Sequence, residues 1–103
     1  MTKKVYKNCV SAEDFLVRQL QDPYMAKGFL SESFKTFTEN GNMDEFLYSL
    51  EIVIKAKQSV LSFCEEANIS RTNLYAILKG KRKPQLHTIL KILSQLGYTL
   101  KVA

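Results

Sequence analysis

Four residues in "RTNLYAIL" (71–78) have the chemistry to meet the edge of a base pair or the backbone beside it. Arg71 carries a planar fork of donors that matches the two acceptors of guanine, and Asn73 matches the donor–acceptor pair of adenine. Thr72 can donate to bases or phosphates, and Tyr75 is long enough to reach the backbone. Just downstream, "KGKRKP" (79–84) gathers Lys79, Lys81, Arg82 and Lys83 around Gly80. Cations so closely spaced would lie along phosphates and supply salt-dependent attraction rather than sequence choice. The competing reading is a solvated basic surface. The elements that hold these residues must decide between the two.

Those elements are legible in "VLSFCEEANISRTNLYAIL" (60–78). Two helices crossing steeply through a tight turn need a small residue at the crossing, and Cys64 is small. Asn68 suits the left-handed residue of the turn. Ile69 plugs the gap between the helices, and Ser70 caps the second one. Phe63 and Ala67 face inward from the first helix, and Leu74, Ile77 and Leu78 from the second. Arg71, Thr72, Tyr75, Ala76 and Lys79 are left facing outward, with Asn73 at the margin. The expected geometry is a helix-turn-helix over residues 60–79, its second helix in the major groove.

Helix signals dominate the remainder. Ser11 and Asp14 form a capping-box pattern ahead of an apolar stripe of Phe15, Leu16 and Leu20, and this helix should stop near Asp22. Asp22-Pro23 reads as N-cap and first helical residue. Met25, Phe29, Leu30, Phe34 and Phe37 then follow at helical spacing to about Glu39, and Gly41 suits a left-handed cap. A third helix starts near Asp44, with Phe46, Leu47, Leu50, Val53 and Ile54 on one side. The fourth to sixth cover roughly 60–67, 71–78 and 86–96, the last ended by Gly97. The alternating "YTLKV" (98–102) predicts a short terminal strand. The fold class expected is all-α: a tail over residues 1–10 and one helical domain over 11–103.

Bulk properties narrow the function. The chain has 103 residues and a net charge of +5. Residues 1–54 hold six Lys/Arg and eight Asp/Glu, whereas 55–103 hold nine and two. The basic field is therefore confined to the C-terminal half, as a nucleic-acid face requires. No apolar run reaches bilayer length and no secretory leader is recognisable, so a cytoplasmic protein is expected, with no membrane partner. Cys9 and Cys64 are read as free thiols rather than a disulfide or zinc site. His87, the only histidine, falls in the first turn of the last helix with no nucleophile beside it. Glu65-Glu66 and Asp44-Glu45 do not converge on one site, and no Gly-rich phosphate cradle is present. The expectation is a non-enzyme without metal or cofactor.

The segment "NISRTNLYAILKGKRKPQLHTILKILSQLGYTLKV" resembles the end of phage-repressor-type helix-turn-helix domains, and more narrowly the addiction-module antidote family of HigA-like antitoxins. "FLVRQLQDPYMAKGFLSESF" and "MDEFLYSLEIVIKAK" resemble its two leading helices. The resemblance implies a lambda-repressor-like fold, a RelE/HigB-type toxin as partner, and autoregulation of the operon, usually as a homodimer. Carried onto matching positions, it implies that Ser70, Arg71, Thr72, Asn73 and Tyr75 face double-stranded operator DNA, with the loop cations behind them. Asn68 replaces the usual glycine of the turn. Phe63-Cys64 replaces leucine-alanine, Leu61 stands where a capping Ser or Thr is expected, and Gln85 replaces a capping serine. Two other readings share many of these features: a free-standing phage-type regulator without a toxin, and a protein-interaction module that never meets nucleic acid.

Overall fold

Side chains that satisfy free N–H groups begin most of the helices in the computed structural model, which describes residues 11–100. Helix α1 (Ala12–Gln19) starts at Ser11, whose hydroxyl accepts from the Asp14 N–H at 3.1 Å. Helix α2 (Pro23–Asn40) starts at Asp22, which accepts from the Tyr24 N–H at 2.9 Å, and Pro23 fills the first turn. Gly41, at φ 73°, ends it by donating to the Phe37 carbonyl. Helix α3 (Met43–Lys57) is capped by Asn42. Helix α4 (Val60–Ala67) is capped by Ser59, which accepts from the Ser62 N–H at 3.0 Å. The cap therefore lies two residues before Leu61, which is an exposed helical residue. Helix α5 (Arg71–Leu78) and helix α6 (Leu86–Gln95) complete the order. Gln85 makes no side-chain cap to α6, which starts without that support.

The fold is an all-α bundle, and α3 is its axis. Phe46, Leu47, Leu50, Ile52, Val53, Ile54 and Ala56 are all buried, on every side of the helix. A helix that is apolar all round needs neighbours all round. Helices α1, α2, α4 and α5 all pack on α3, and α4 also packs on α5 and α6. One end of the core is aromatic: Phe46 stacks with Phe37 at 5.8 Å and meets Phe34 edge-on at 5.7 Å between centroids. The inner face of α2 is Ala26 and Leu30 with Phe29, Phe34 and Phe37, while Met25 is exposed.

Phe15, expected in the inward stripe of α1, stands largely exposed, and Leu16, Val17 and Leu20 supply the packed face instead. Successive helical residues are about 100° apart, so the run Phe15-Leu16-Val17 cannot all turn inward. Tyr98–Leu100 carry no strand, and the rest of the expected "YTLKV" strand lies outside the described residues. The proposed tail, with Cys9, also lies outside them.

Asn68 is the one described non-glycine residue with positive φ, at φ 58° and ψ 48°. It reverses the chain between α4 and α5, and the Ile69 N–H closes the turn onto the Cys64 carbonyl at 3.0 Å. An asparagine tolerates this region; a β-branched residue does not. Asn68→Val is expected to lower unfolding stability by about 1–2 kcal/mol, whereas Asn68→Gly should be nearly neutral. Urea denaturation of the two variants beside the parent chain checks both.

Candidate nucleic-acid interface

Ser70 accepts from the Asn73 N–H at 3.0 Å, and this contact sets the first turn of α5. Leu74, Ile77 and Leu78 then fall into the core. With that face committed, Arg71 and Thr72 are exposed, and Asn73, Tyr75 and Ala76 are half-buried at the border. The carbonyl end of the helix organises the loop behind it. The N–H groups of Lys81 and Arg82 both donate to the Ala76 carbonyl, at 2.8 and 3.0 Å. Gly80 takes φ 76° at the bend, where a Cβ would stand 3.2 Å from the Asp44 carboxylate. Lys81, Arg82 and Lys83 are exposed. The Arg82 guanidinium reaches back to donate to the Asn73 side-chain oxygen. The loop is thereby tied to the start of the helix, and residues separated by nine positions form one surface.

Along the sequence the charge of this surface is one-sided, although Asp44 of α3 stands beside the loop at Gly80. No Asp or Glu follows Glu66 in the chain, while Arg71, Lys79, Lys81, Arg82, Lys83 and Lys91 all do. A polar helix start flanked by exposed cations and free of acids of its own can take an anionic, hydrogen-bonding ligand.

A family model described as "probable addiction module antidote protein" matches residues 15–103. The chain belongs to that family. No curated protein and no solved structure matches it. The matched span takes in α2 to α6 and most of α1, so the antidote character attaches to the whole bundle. An antidote implies a toxin as its partner.

Within this antidote Lys79 differs from the other loop cations. Its ammonium lies 3.1 and 3.0 Å from the two oxygens of Glu51, a residue only 2% exposed. Lys55 holds the same carboxylate at 3.1 Å and also pairs with Glu13 at 3.0 Å. The Tyr48 hydroxyl donates to Glu13 as well, at 3.2 Å. A chain of charges thus runs from α1 across α3 to the end of α5. The sequence reading did not find this network. Its one signal was an acid inside the apolar run of α3, and the partner it needed was 28 positions away. Cys64 is buried at the α4–α5 region as expected, and burial pushes its thiol up, away from nucleophilic use. His87 is exposed. Among the described residues, no three His, Cys, Asp or Glu side chains cluster as metal ligands, and no helix is long and apolar enough to cross a membrane.

The Lys55 ammonium holds the Glu13 carboxyl below its ordinary range, and Glu13 in turn raises Lys55. A lowered carboxyl contributes stability above its unfolded pKa of about 4.3 and loses it as pH falls through the folded value; a raised lysine contributes below about 10.4 and loses it as pH rises further. The α1–α3 tie is therefore constant across neutral pH. On going from about pH 7 to about pH 3, Glu13→Gln is expected to lose less stability than the parent, because it has no carboxylate to protonate. Urea midpoints measured across that range check the difference.

Proposed function

We propose that this antidote is a DNA-binding antitoxin of a type II toxin–antitoxin module. In this reading it binds operator DNA, represses its own operon, and neutralises a RelE/HigB-type toxin in the cytoplasm. The observation that carries the DNA half is the exposed, polar start of α5 beside an acid-free run of cations. In the proposed complex α4 and α5 act as a helix-turn-helix of the lambda-repressor type, with α5 in the major groove. Arg71 and Asn73 read base edges, Ser70, Thr72 and Tyr75 contact bases or phosphates, and Lys81, Arg82 and Lys83 follow the backbone. Lys79 serves mainly to hold α5 on α3 through Glu51, and contributes less to phosphate binding than its neighbours. Leu86 and Leu90 are exposed at i, i+4 on α6 and offer an apolar seam for a homodimer, which would span two half-sites about one helical turn apart. The protein acts by binding rather than by catalysis.

The family match favours this reading over a free-standing regulator, because an antidote needs a toxin. The interaction-module reading parts from it on salt dependence. Operator affinity should fall steeply between about 50 and 200 mM salt if phosphates are contacted, and absence of binding at low salt would favour the module without nucleic acid. Arg71→Ala is expected to weaken specific binding by about 1–3 kcal/mol; Lys81→Ala should weaken operator and random DNA alike and reduce the salt slope by about 1. Lys79→Met should change the slope little and lower the melting midpoint, since Glu51 keeps only Lys55. Fluorescence anisotropy titrations of the three variants, with thermal melts, check this. An Arg71→Ala chain with parental operator affinity would remove α5 from the role of reader.

A further inference from the structure

We infer that the groove between α1 and α2 is the seat of the toxin, and that it takes an apolar side chain carried on a basic surface. This rests on the reading of the chain as an antitoxin with a protein partner.

The groove floor is Leu16 of α1 and Phe29 of α2, and it opens on two sides of that pair. On one side Tyr24, Met25 and Lys27 form the rim, with Tyr24 83% exposed, and the apolar contact falls here. On the other side the rim is acidic, with Glu32, Asp44 and Glu45. Between Tyr24 and Phe29 lies Gly28, where an added Cβ would meet no heavy atom within 4 Å. Glycine weakens a helix interior relative to alanine, and no neighbour in this chain uses the space it leaves. Gly28 is exposed, and this open surface beside an exposed tyrosine and methionine leaves room for an incoming side chain, both residue types being enriched at interfaces.

Charge selects the occupant. Residues 11–54 carry Arg18, Lys27 and Lys35 against eight Asp or Glu; with Glu13 and Glu51 paired to Lys55 and Lys79, six acids remain against three cations, an excess of three negative charges. DNA would be repelled from this face. A second copy docked here about a two-fold axis would set acidic rim against acidic rim, because a two-fold interface brings together the same patch from both copies. A basic protein surface with a protruding apolar residue satisfies both the rim and the floor.

Gly28→Arg tests the assignment, because it occupies that open surface and adds a like charge against a basic partner while favouring the helix. The probe is the purified polypeptide encoded by the reading frame next to this chain's own. The variant is expected to bind it about 30-fold or more weakly, with unchanged operator affinity and a melting midpoint at or above the parent's. Glu32→Lys should slow association several-fold at low salt and little at high salt. Parental affinity in Gly28→Arg would overturn the assignment and leave the antitoxin reading standing. Failure of the parent chain itself to bind the probe would overturn both. A parent dimer that Gly28→Arg turns into a monomer, by light scattering, would show the groove to be a self-interface and overturn it as well.

Discussion

A buried carboxylate on the central helix constrains the elements packed around it. Glu51 lies on α3 among Leu50, Ile52, Val53 and Ile54, all fully buried. An unpaired charge there would cost several kcal/mol, about as much as a small domain has to spare. Two lysines remove that penalty, and they come from different places. Lys55 is one turn along the same helix, while Lys79 closes the far end of α5. Glu51 gains its second cation only with α5 seated in a register that delivers Lys79. Lys55 extends the same constraint to α1 through Glu13. A buried ion pair of this kind adds little net stability over an apolar core, so its consequence is positional: it fixes how the polar face of α5 stands relative to the axis of the bundle.

What the sequence disclosed follows from the range of the interactions. The starts of α1, α2 and α5 are set by Ser11, Asp22-Pro23 and Ser70, each acting within three residues, and each was readable. The left-handed turn at Asn68 was readable for the same reason. The inward set Leu74, Ile77 and Leu78 follows from periodicity once the cap is known. Misreadings came where a local pattern had more than one solution. Phe15 and Leu16 both fit the stripe of α1, and the choice falls to the packing of Leu16 and Leu20 on the core with Glu13 paired to Lys55. The span of α4 over 60–67 was readable, but its cap was not: the family pattern looks for it at Leu61, whereas Ser59 supplies it two residues earlier. Lys79 read as one more loop cation because its partner is in another helix, beyond the reach of any local rule.

The candidate site divides in the same way. The exposure of Arg71 and Thr72 and the marginal place of Asn73 were legible from the cap and the apolar spacing, whereas Tyr75 and Ala76, expected outward, are half-buried and Lys79 turns to Glu51. How the loop cations are arranged was not legible. Lys81 and Arg82 are positioned by bonds to the Ala76 carbonyl, and Arg82 by the Asn73 side chain. Those contacts depend on Gly80 turning the chain back on the helix end beside Asp44.

Charge is segregated along the chain, and the acidic and basic surfaces adjoin where Asp44 stands beside Gly80. The acidic residues concentrate on α1, α2 and the start of α3, and the last acid of the chain is Glu66 in α4. With α5 against DNA, as proposed, phosphate repulsion would turn the α1–α2 groove away from the duplex, where it stays accessible. A basic toxin attracted to that groove would also be attracted to the DNA, so the two long-range fields act in the same direction and bring the three components together. The Glu13–Lys55–Glu51–Lys79 chain joins the two faces across α3. A partner that displaced α1 would take Glu13 from Lys55 and leave Lys55 and Lys79 to share Glu51 alone. The seating of α5 would survive that change, because Glu51 would still hold Lys79, and the two binding faces would then depend on a common axis without either one requiring the other to be occupied.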